Sequence, residues 1–284
     1  MPFDAALYFP QWQGSPNPEG IRQGSRFLHQ SLLGYLHFHS LTVDDAESEL
    51  KRHIRHYPAI MNNTLRAQAE LKALSPRTVF TLGGDCSVDV PVIDYLHGLY
   101  PGKLGVIWID AHADINLPEE SPSQCFHGMP LRTLLGEGDE AMLHLLNHPL
   151  SPSQICYAGI RSIDPPEQAY IEEKNFPVLT AMDINQRHYR KFSEWLSESG
   201  IRQLHIHLDL DALDPVAGID VTYRIPEGIQ LHALHEFLAF LHSYGITAGF
   251  TVTEYAALAE NREATDKIAS LLSPILPLSE VLAA

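Results

Sequence analysis

The chain has 284 residues, 45% of them hydrophobic, and its 35 acidic against 19 basic side chains give a formal charge of -16. This length suits one large α/β domain better than two small ones, and the acidic balance argues against nucleic acid or an acidic membrane surface as partner while suiting a cationic ligand or a bound metal. Three scattered cysteines, Cys86, Cys125 and Cys156, make no disulfide framework, no apolar run is long enough to cross a bilayer, and the opening MPFDAALYFPQW lacks the basic and apolar blocks of a secretory signal, so a cytoplasmic enzyme is the expectation.

In chain order, residues 3–9 predict a strand, the Gly- and Pro-dense QWQGSPNPEG a loop, residues 21–33 a helix and residues 36–43 a second strand. Residues 46–74 predict one or two helices that stop at Ser75-Pro76. TVFTLGGD then runs an apolar, β-branched strand into a double glycine and an aspartate, followed by a helix over 87–99. LGVIWI, residues 104–109, is apolar at every position, as a strand covered on both faces of a parallel sheet should be, and ends in Asp110-Ala-His112-Ala-Asp114. Residues 116–129 read as a long irregular loop, a kind that is often functional. Strands follow at 155–159, 178–180, 204–208 and 246–252, with helices at 190–199, 231–243 and 262–272. Such alternation predicts a doubly wound α/β fold with a mostly parallel sheet, in a single domain over 1–284 without internal repeat or low-complexity linker.

The densest chemistry lies in LHIHLDLDALDP, residues 204–215, with Asp209, Asp211 and Asp214 close together. Side chains two apart on a strand share a face, so Asp209 and Asp211 converge where the strand ends, and Asp214-Pro215 makes a turn. An acidic surface loop is the alternative for this run taken alone. Three polar clusters, however, stand directly after predicted strands: Gly83-Gly84-Asp85-Cys86, Asp110-Ala-His112-Ala-Asp114 and Asp209-Leu-Asp211. Ligands of open α/β sheets bind outside the carboxyl ends of strands, so the three clusters should meet at one edge. Pooled, they offer Cys86, Asp110, His112, Asp114, Asp209 and Asp211 as donors, one sulfur, one imidazole and four carboxylates, a set that needs roughly two divalent cations to stay ionised. Its richness in carboxylate favours manganese.

Together, the DAHAD run, DLDALDP and GGDCS resemble the signature of the ureohydrolases, the arginase and agmatinase family, in the family's order and from the glycine pair to Glu254. The resemblance implies a three-layer α/β/α fold and hydrolysis of a small cationic guanidino substrate at a centre of two Mn2+ ions. It implies that Asp110 and Asp209 bridge both ions, that Asp114 and Cys86 complete one, and that His112 and Asp211 complete the other. Two ions close together make water acidic enough to attack the guanidinium carbon at neutral pH. Along the 116–129 loop, D-I-N-x-P, two hydroxyl residues and His-Gly match arginase offsets, so Asn116, Ser121 and Ser123 would hold a substrate α-carboxylate. By the same resemblance His127 passes a proton to the departing amine, Glu254 pairs with the guanidinium, and Asp164, assisted by Glu167 through water, takes the α-amino group. Asp114 joins His127 and Glu254 in the catalytic set. The plainer alternatives are a turn-rich surface loop for the Asn116–Ser123 stretch and a helix N-terminus for Asp164-Pro165.

Two departures from the pattern stand out. After Glu254 the chain has Tyr255-Ala256-Ala257 where the family usually turns, and Cys86 stands where the family has histidine. A thiolate lowers the Lewis acidity of its metal and strengthens the hold on softer ions. Cys86 therefore leaves three outcomes: two manganese ions with altered water activation, one firm ion and one weak, or a small buried hydrophobe beside a damaged site. Cys125, where arginases often carry asparagine, is a second change in the pocket. The expected substrate is L-arginine or N-omega-hydroxy-L-arginine, yielding ornithine with urea or hydroxyurea. An agmatinase or guanidino-acid hydrolase is one alternative, and a non-catalytic protein that binds arginine-like ligands is another. The apolar tail over 271–284 could dock on its own domain or on a second copy in a homo-oligomer. Of the 16 histidines, only His112 and His127 fall within a motif.

Overall fold

The computed structural model describes residues 3–32, 34–44 and 49–276. Leu104–Ile109, apolar and buried at every position, lies inside a sheet of eight strands. The strands are β1 Ala5–Phe9, β2 Phe38–Ser40, β3 Val79–Gly83, β4 Leu104–Ile109, β5 Ile155–Ala158, β6 Val178–Leu179, β7 Gln203–Asp209 and β8 Thr247–Thr253. Their order is β2-β1-β3-β8-β7-β4-β5-β6, and every neighbouring pair is parallel. The α-helices among the described residues are α1 Pro18–Leu32, α2 Tyr57–Leu74, α3 Asp89–Leu99, α4 Pro130–Leu134, α5 Glu140–Leu143, α6 Pro165–Lys174, α7 Ala181–Asn185, α8 Arg190–Glu198, α9 Leu231–His242 and α10 Arg262–Leu272. They cover both faces of the sheet, making the three-layer α/β/α architecture.

The alternation along β7 shows how the layers are divided. Leu204, Ile206 and Leu208 join Ile107, Ile109, Phe250 and Val252 in the core beneath α9 and α10. On the opposite face, Val106 and Trp108 of β4 pack with residues of α2 and α3, and their register partners on β7 are His205 and His207. That second layer therefore contains a polar island: His205 Nε2 and His207 Nδ1 contact Asp89 Oδ2 at 3.0 and 2.6 Å, and Thr251 donates to Asp89 Oδ1 at 2.6 Å. Burial alone would raise the Asp89 carboxyl, but the two histidines hold it below the usual carboxylate range.

Differences from the sequence expectations have local causes. α2 begins at Tyr57, well after residue 46, because Arg52, His53 and His56 adopt left-handed backbone and Lys51 and Ile54 close a tight turn; Pro58 then fits the first helical turn, where a missing N–H costs nothing. The second strand shortens to Phe38–Ser40, as suits a sheet edge. Helix α6 starts where the sequence offers a helix N-terminus, at Asp164-Pro165, but its body is short and its apolar spacing weak, with only Glu167, Tyr170 and Ile171 buried. Residues 33, 46–48 and 277–284 of the predicted elements and tail lie outside the described residues. No helix among the described residues is long and apolar enough to cross a membrane.

At the end of β3 the glycine pair lets two loops touch. Gly84 N donates to Phe9 O at 3.1 Å and Asp85 N to Gln11 O at 2.8 Å, while the Asp85 carboxylate accepts from Gly14 N at 2.8 Å. A Cβ on Gly84 would lie 1.9 Å from the Gln11 carbonyl oxygen, closer than any side chain can come to backbone. Gly84→Ala should therefore destabilise the protein by about 2–3 kcal/mol in urea denaturation, and a loss below about 0.5 kcal/mol would show that the β1 loop yields freely.

Candidate metal centre

Four adjacent strands, β3, β8, β7 and β4, end on the same edge of the sheet. The residues that leave them are Gly84-Asp85-Cys86, Glu254, Asp209 to Asp211, and Asp110 to Asp114. The three clusters read from sequence thus meet, and Glu254 joins them. Cys86 opens a 3-10 turn capped by Asp85, which accepts from Ser87 N at 3.0 Å, and Asp209 caps the turn after β7, accepting from Asp211 N at 2.6 Å. Short turns directly after strands hold the side chains at the sheet edge with little freedom.

Cys86 Sγ lies 3.1 Å from Asp209 Oδ2, and His112 Nδ1 lies 3.0 Å from Asp211 Oδ2 and 3.5 Å from Asp110 Oδ1. Three groups of donor atoms gather within 4.8 Å of one another: Cys86, Asp110, Asp114 and His207; Cys86, Asp209 and Glu254; and Asp110, His112 and Asp211. All are buried except His112, which is partly exposed. The backbone is fitted to the task as well. Asp114 and Glu254 have φ of 53° and 62°, a left-handed conformation that costs a non-glycine residue energy and is concentrated at functional sites.

Charge is the outstanding feature. Burial first, and then the charges of neighbouring carboxylates, push Asp110, Asp114, Asp209 and Glu254 above the usual carboxylate range and Cys86 above the usual thiol range. Asp211 goes the other way despite its burial, because His112 and the Ala111 amide hydrogen-bond to it. Burial opposes protonation of His112, yet Asp110 and Asp211 outweigh it and hold the imidazole strongly basic. One imidazolium cannot balance this many acids. Asp114 Oδ2 and His207 Nε2 are also buried without hydrogen-bond partners. Partnerless oxygen and nitrogen atoms converging with a thiol and further carboxylates are a fit for divalent metal.

A cavity of about 230 Å³ opens beside the donors, lined by His112, Asp114, Asn116, Ser121, Ser123, His127, Asp164, Glu167 and Tyr223 among others. Asn116 Nδ2 donates to Asp164 Oδ2 at 3.0 Å. Ser121 and Ser123 stand with their hydroxyls 3.3 Å apart, each also accepting a backbone amide of the loop, Gln124 N and Cys125 N respectively. These residues shape the loop and also line the cavity. Asp164 caps α6, and Glu167 clamps it, accepting from Asp164 N at 2.9 Å and from Ile115 N at 3.0 Å. His127, pushed down to about 4 by burial and then by the charge of His112, lines the cavity with Nδ1 3.8 Å from Glu254 Oε1. Cys125 is buried with its thiol toward the Ser123 carbonyl and does not line the cavity.

Three residues here escaped the sequence reading. Arg161 spreads its guanidinium over the carbonyls of Gly159, Asp211, Ala212, Ile225 and Pro226, tying the turn after β7 to the loop after β5. Tyr223 lies parallel to His127, ring centres 6.0 Å apart, and edge-on to His112 at 5.2 Å. His207 reaches the donor cluster from β7. Only His207 carried a readable signal, since it precedes Asp209 by two positions on a strand and so shares its face.

The family model described as "Arginase family" matches residues 2–273. An arginase of Staphylococcus aureus (strain COL) is 32% identical over 232 residues, covering 80% of this chain and 76% of that protein. An arginase of Entamoeba histolytica is 27% identical over 278 residues, covering 90% and 92%. Among solved structures, E. histolytica arginase in complex with L-ornithine superposes with a TM-score of 0.87 at 24% identity over 98% of this chain and 99% of that one. Arginase from Bacillus caldovelox gives 0.83, also at 24% identity, over 98% of each chain.

Burial pushes Glu167 up to about 7, so ionising it costs stability: its contribution is full below the unfolded value of about 4.5 and is lost as pH rises through about 7. Glu167→Gln removes that dependence. The stability of the variant relative to wild type should improve by about 1–3 kcal/mol between about pH 5 and pH 8. A difference that does not vary with pH would mean that Glu167 titrates as an ordinary surface carboxyl.

Proposed function

This chain belongs to the arginase family, and on that premise we propose that it hydrolyses the guanidino C–N bond of an arginine-type amino acid, L-arginine or N-omega-hydroxy-L-arginine, to ornithine plus urea or hydroxyurea, with two Mn2+ ions per chain. Its class, a metal-dependent amidinohydrolase, follows from the family itself. The observation that carries the substrate is the Asn116–Asp164 pair, an amide donor and a carboxylate held 3.0 Å apart on the cavity wall beside the hydroxyls of Ser121 and Ser123. Adjacent donors and acceptor suit the α-carboxylate and α-ammonium of an amino acid. Agmatine has no carboxylate to occupy the donors. The cavity volume of about 230 Å³ is below the roughly 300–1,000 Å³ of drug-sized sites, as a small substrate requires.

In this reading, Cys86, Asp110, His112, Asp114, Asp209 and Asp211 would hold the ions. When bound, the ions supply a water acidified to near-neutral pKa and Lewis acidity at the guanidinium carbon. Asp164 takes the substrate ammonium, while Asn116, Ser121 and Ser123 orient the carboxylate. Glu254, kept buried with Cys86 N donating to its Oε1 at 3.3 Å, presents a carboxylate to the planar guanidinium and fixes the carbon's position. His127, neutral when the site is empty of other charge changes, has a free pair for a proton and stands within reach of Glu254 and the cavity, where the amine departs. Tyr223 packs against both histidines in the cavity wall.

Manganese-loaded protein should hold about two ions per chain and release urea or hydroxyurea from one of the two substrates. Well under one ion, with neither product formed, would defeat the proposal. Asn116→Ala should lower kcat/KM for the amino acid by roughly 10–100-fold, the loss of one hydrogen bond to a charged group, and lower it far less for agmatine. Equal losses on the two substrates would exclude a carboxylate-binding role.

A further inference from the structure

We propose that His207 is a metal ligand, its Nε2 joining Cys86 Sγ and the carboxylates of Asp110 and Asp114 around one of the two ion positions. The inference rests on the metal-dependent reading above and adds to it an imidazole that lies outside all three sequence motifs. Cys86 removes an imidazole from the turn after β3; His207 supplies one to the same donors from β7.

The ring is held as a ligand has to be held. Its Nδ1 lies 2.6 Å from Asp89 Oδ2, so an ionised Asp89 keeps the proton on Nδ1 and leaves the lone pair on Nε2, the arrangement by which a carboxylate orients a metal-binding histidine. The indole of Trp108, its register partner on β4, stacks on it at 3.5 Å between ring centres and 7° between planes, and donates from Nε1 to Asp110 Oδ2 at 3.0 Å. One indole thus fixes the rotation of His207 and the orientation of Asp110. Nε2 itself is buried without a hydrogen-bond partner, and its donor neighbours all lie within 4.8 Å of one another. Ligand atoms on a single ion sit ~3–4.5 Å apart, given metal–ligand distances of ~2.0–2.3 Å.

His205 is the internal contrast. It too contacts Asp89 and has a nitrogen without a partner, but that Nδ1 is pressed toward Gly249, where a Cβ would come within 2.1 Å, and it belongs to no donor group. Of the two buried histidines of β7, one completes the polar island and the other looks out of it into the centre. With thiolate, imidazole and carboxylate together, this position has softer donors than the one formed by His112 and the aspartates. It should prefer Co2+ or Zn2+ to Mn2+ more strongly than its neighbour does.

X-ray absorption of the full chain loaded with two equivalents of Co2+ tests the assignment without any substitution. Two imidazoles and one sulfur per ion pair are expected, His112 and His207 being the imidazoles. One imidazole per pair overturns the proposal. His207→Gln should lose one imidazole from that count while His205→Gln keeps both; a wild-type count retained in His207→Gln also overturns it. Protein that binds neither Co2+ nor Mn2+ would sink this proposal and the hydrolase reading together, whereas a loaded pair with a single imidazole would sink this one alone.

Discussion

Carboxylates withdrawn from water are the constraint that organises this molecule. Asp110, Asp114, Asp209, Asp211 and Glu254 are buried side by side with a thiol, and the surrounding protein returns only part of the lost solvation. Where it does so fully, as at Asp211 between His112 and the Ala111 amide, the acid stays ionised; where it does not, as at Asp114 and Asp209, the proton is favoured. The geometry of the centre has to be maintained by the scaffold, and much of the scaffold is concerned with doing so.

The supports are of different kinds. Gly84 permits the β1 loop to close against the end of β3, Arg161 binds carbonyls from three loops, and Glu167 pins the loop after β4 to the start of α6. Each uses a charged or absent side chain to satisfy or approach backbone, leaving the acids bare. Asp114 and Glu254 show the same priority in their left-handed backbone, since local comfort is given up for the direction in which a carboxylate points.

How far the sequence was legible depended on how local each feature is. The sheet was readable because parallel strands buried on both faces are apolar at every position, as in LGVIWI, and the site because polar clusters after such strands must gather at one edge. Of helix α6 only the start at Asp164-Pro165 was readable, as an alternative, because the apolar spacing of its body is weak. Arg161 has no pattern of its own: the carbonyls it serves come from loops far apart in the chain. His207 shares a strand face with Asp209, but the register with Trp108 and the position of Asp89, which distinguish it from a core histidine, could not be read in the chain. Cys125, conspicuous in the sequence, is buried with its thiol donating to the Ser123 carbonyl.

The order of the strands has a consequence for how the centre comes into being. β4 and β7 are direct neighbours, so Asp110, His112, Asp209 and Asp211 are brought together by one strand pairing. Cys86 and Glu254 are different: β3 reaches β7 only through β8, the last strand among the described residues. A chain emerging from the ribosome carries everything needed for the oxygen-rich half well before the strand that seats the sulfur-bearing half has been made. Long-range pairing of this kind is slow to form. The two halves are thus unequal in time as well as in chemistry, and β8 acts as the keystone whose arrival turns a row of acids into a closed site.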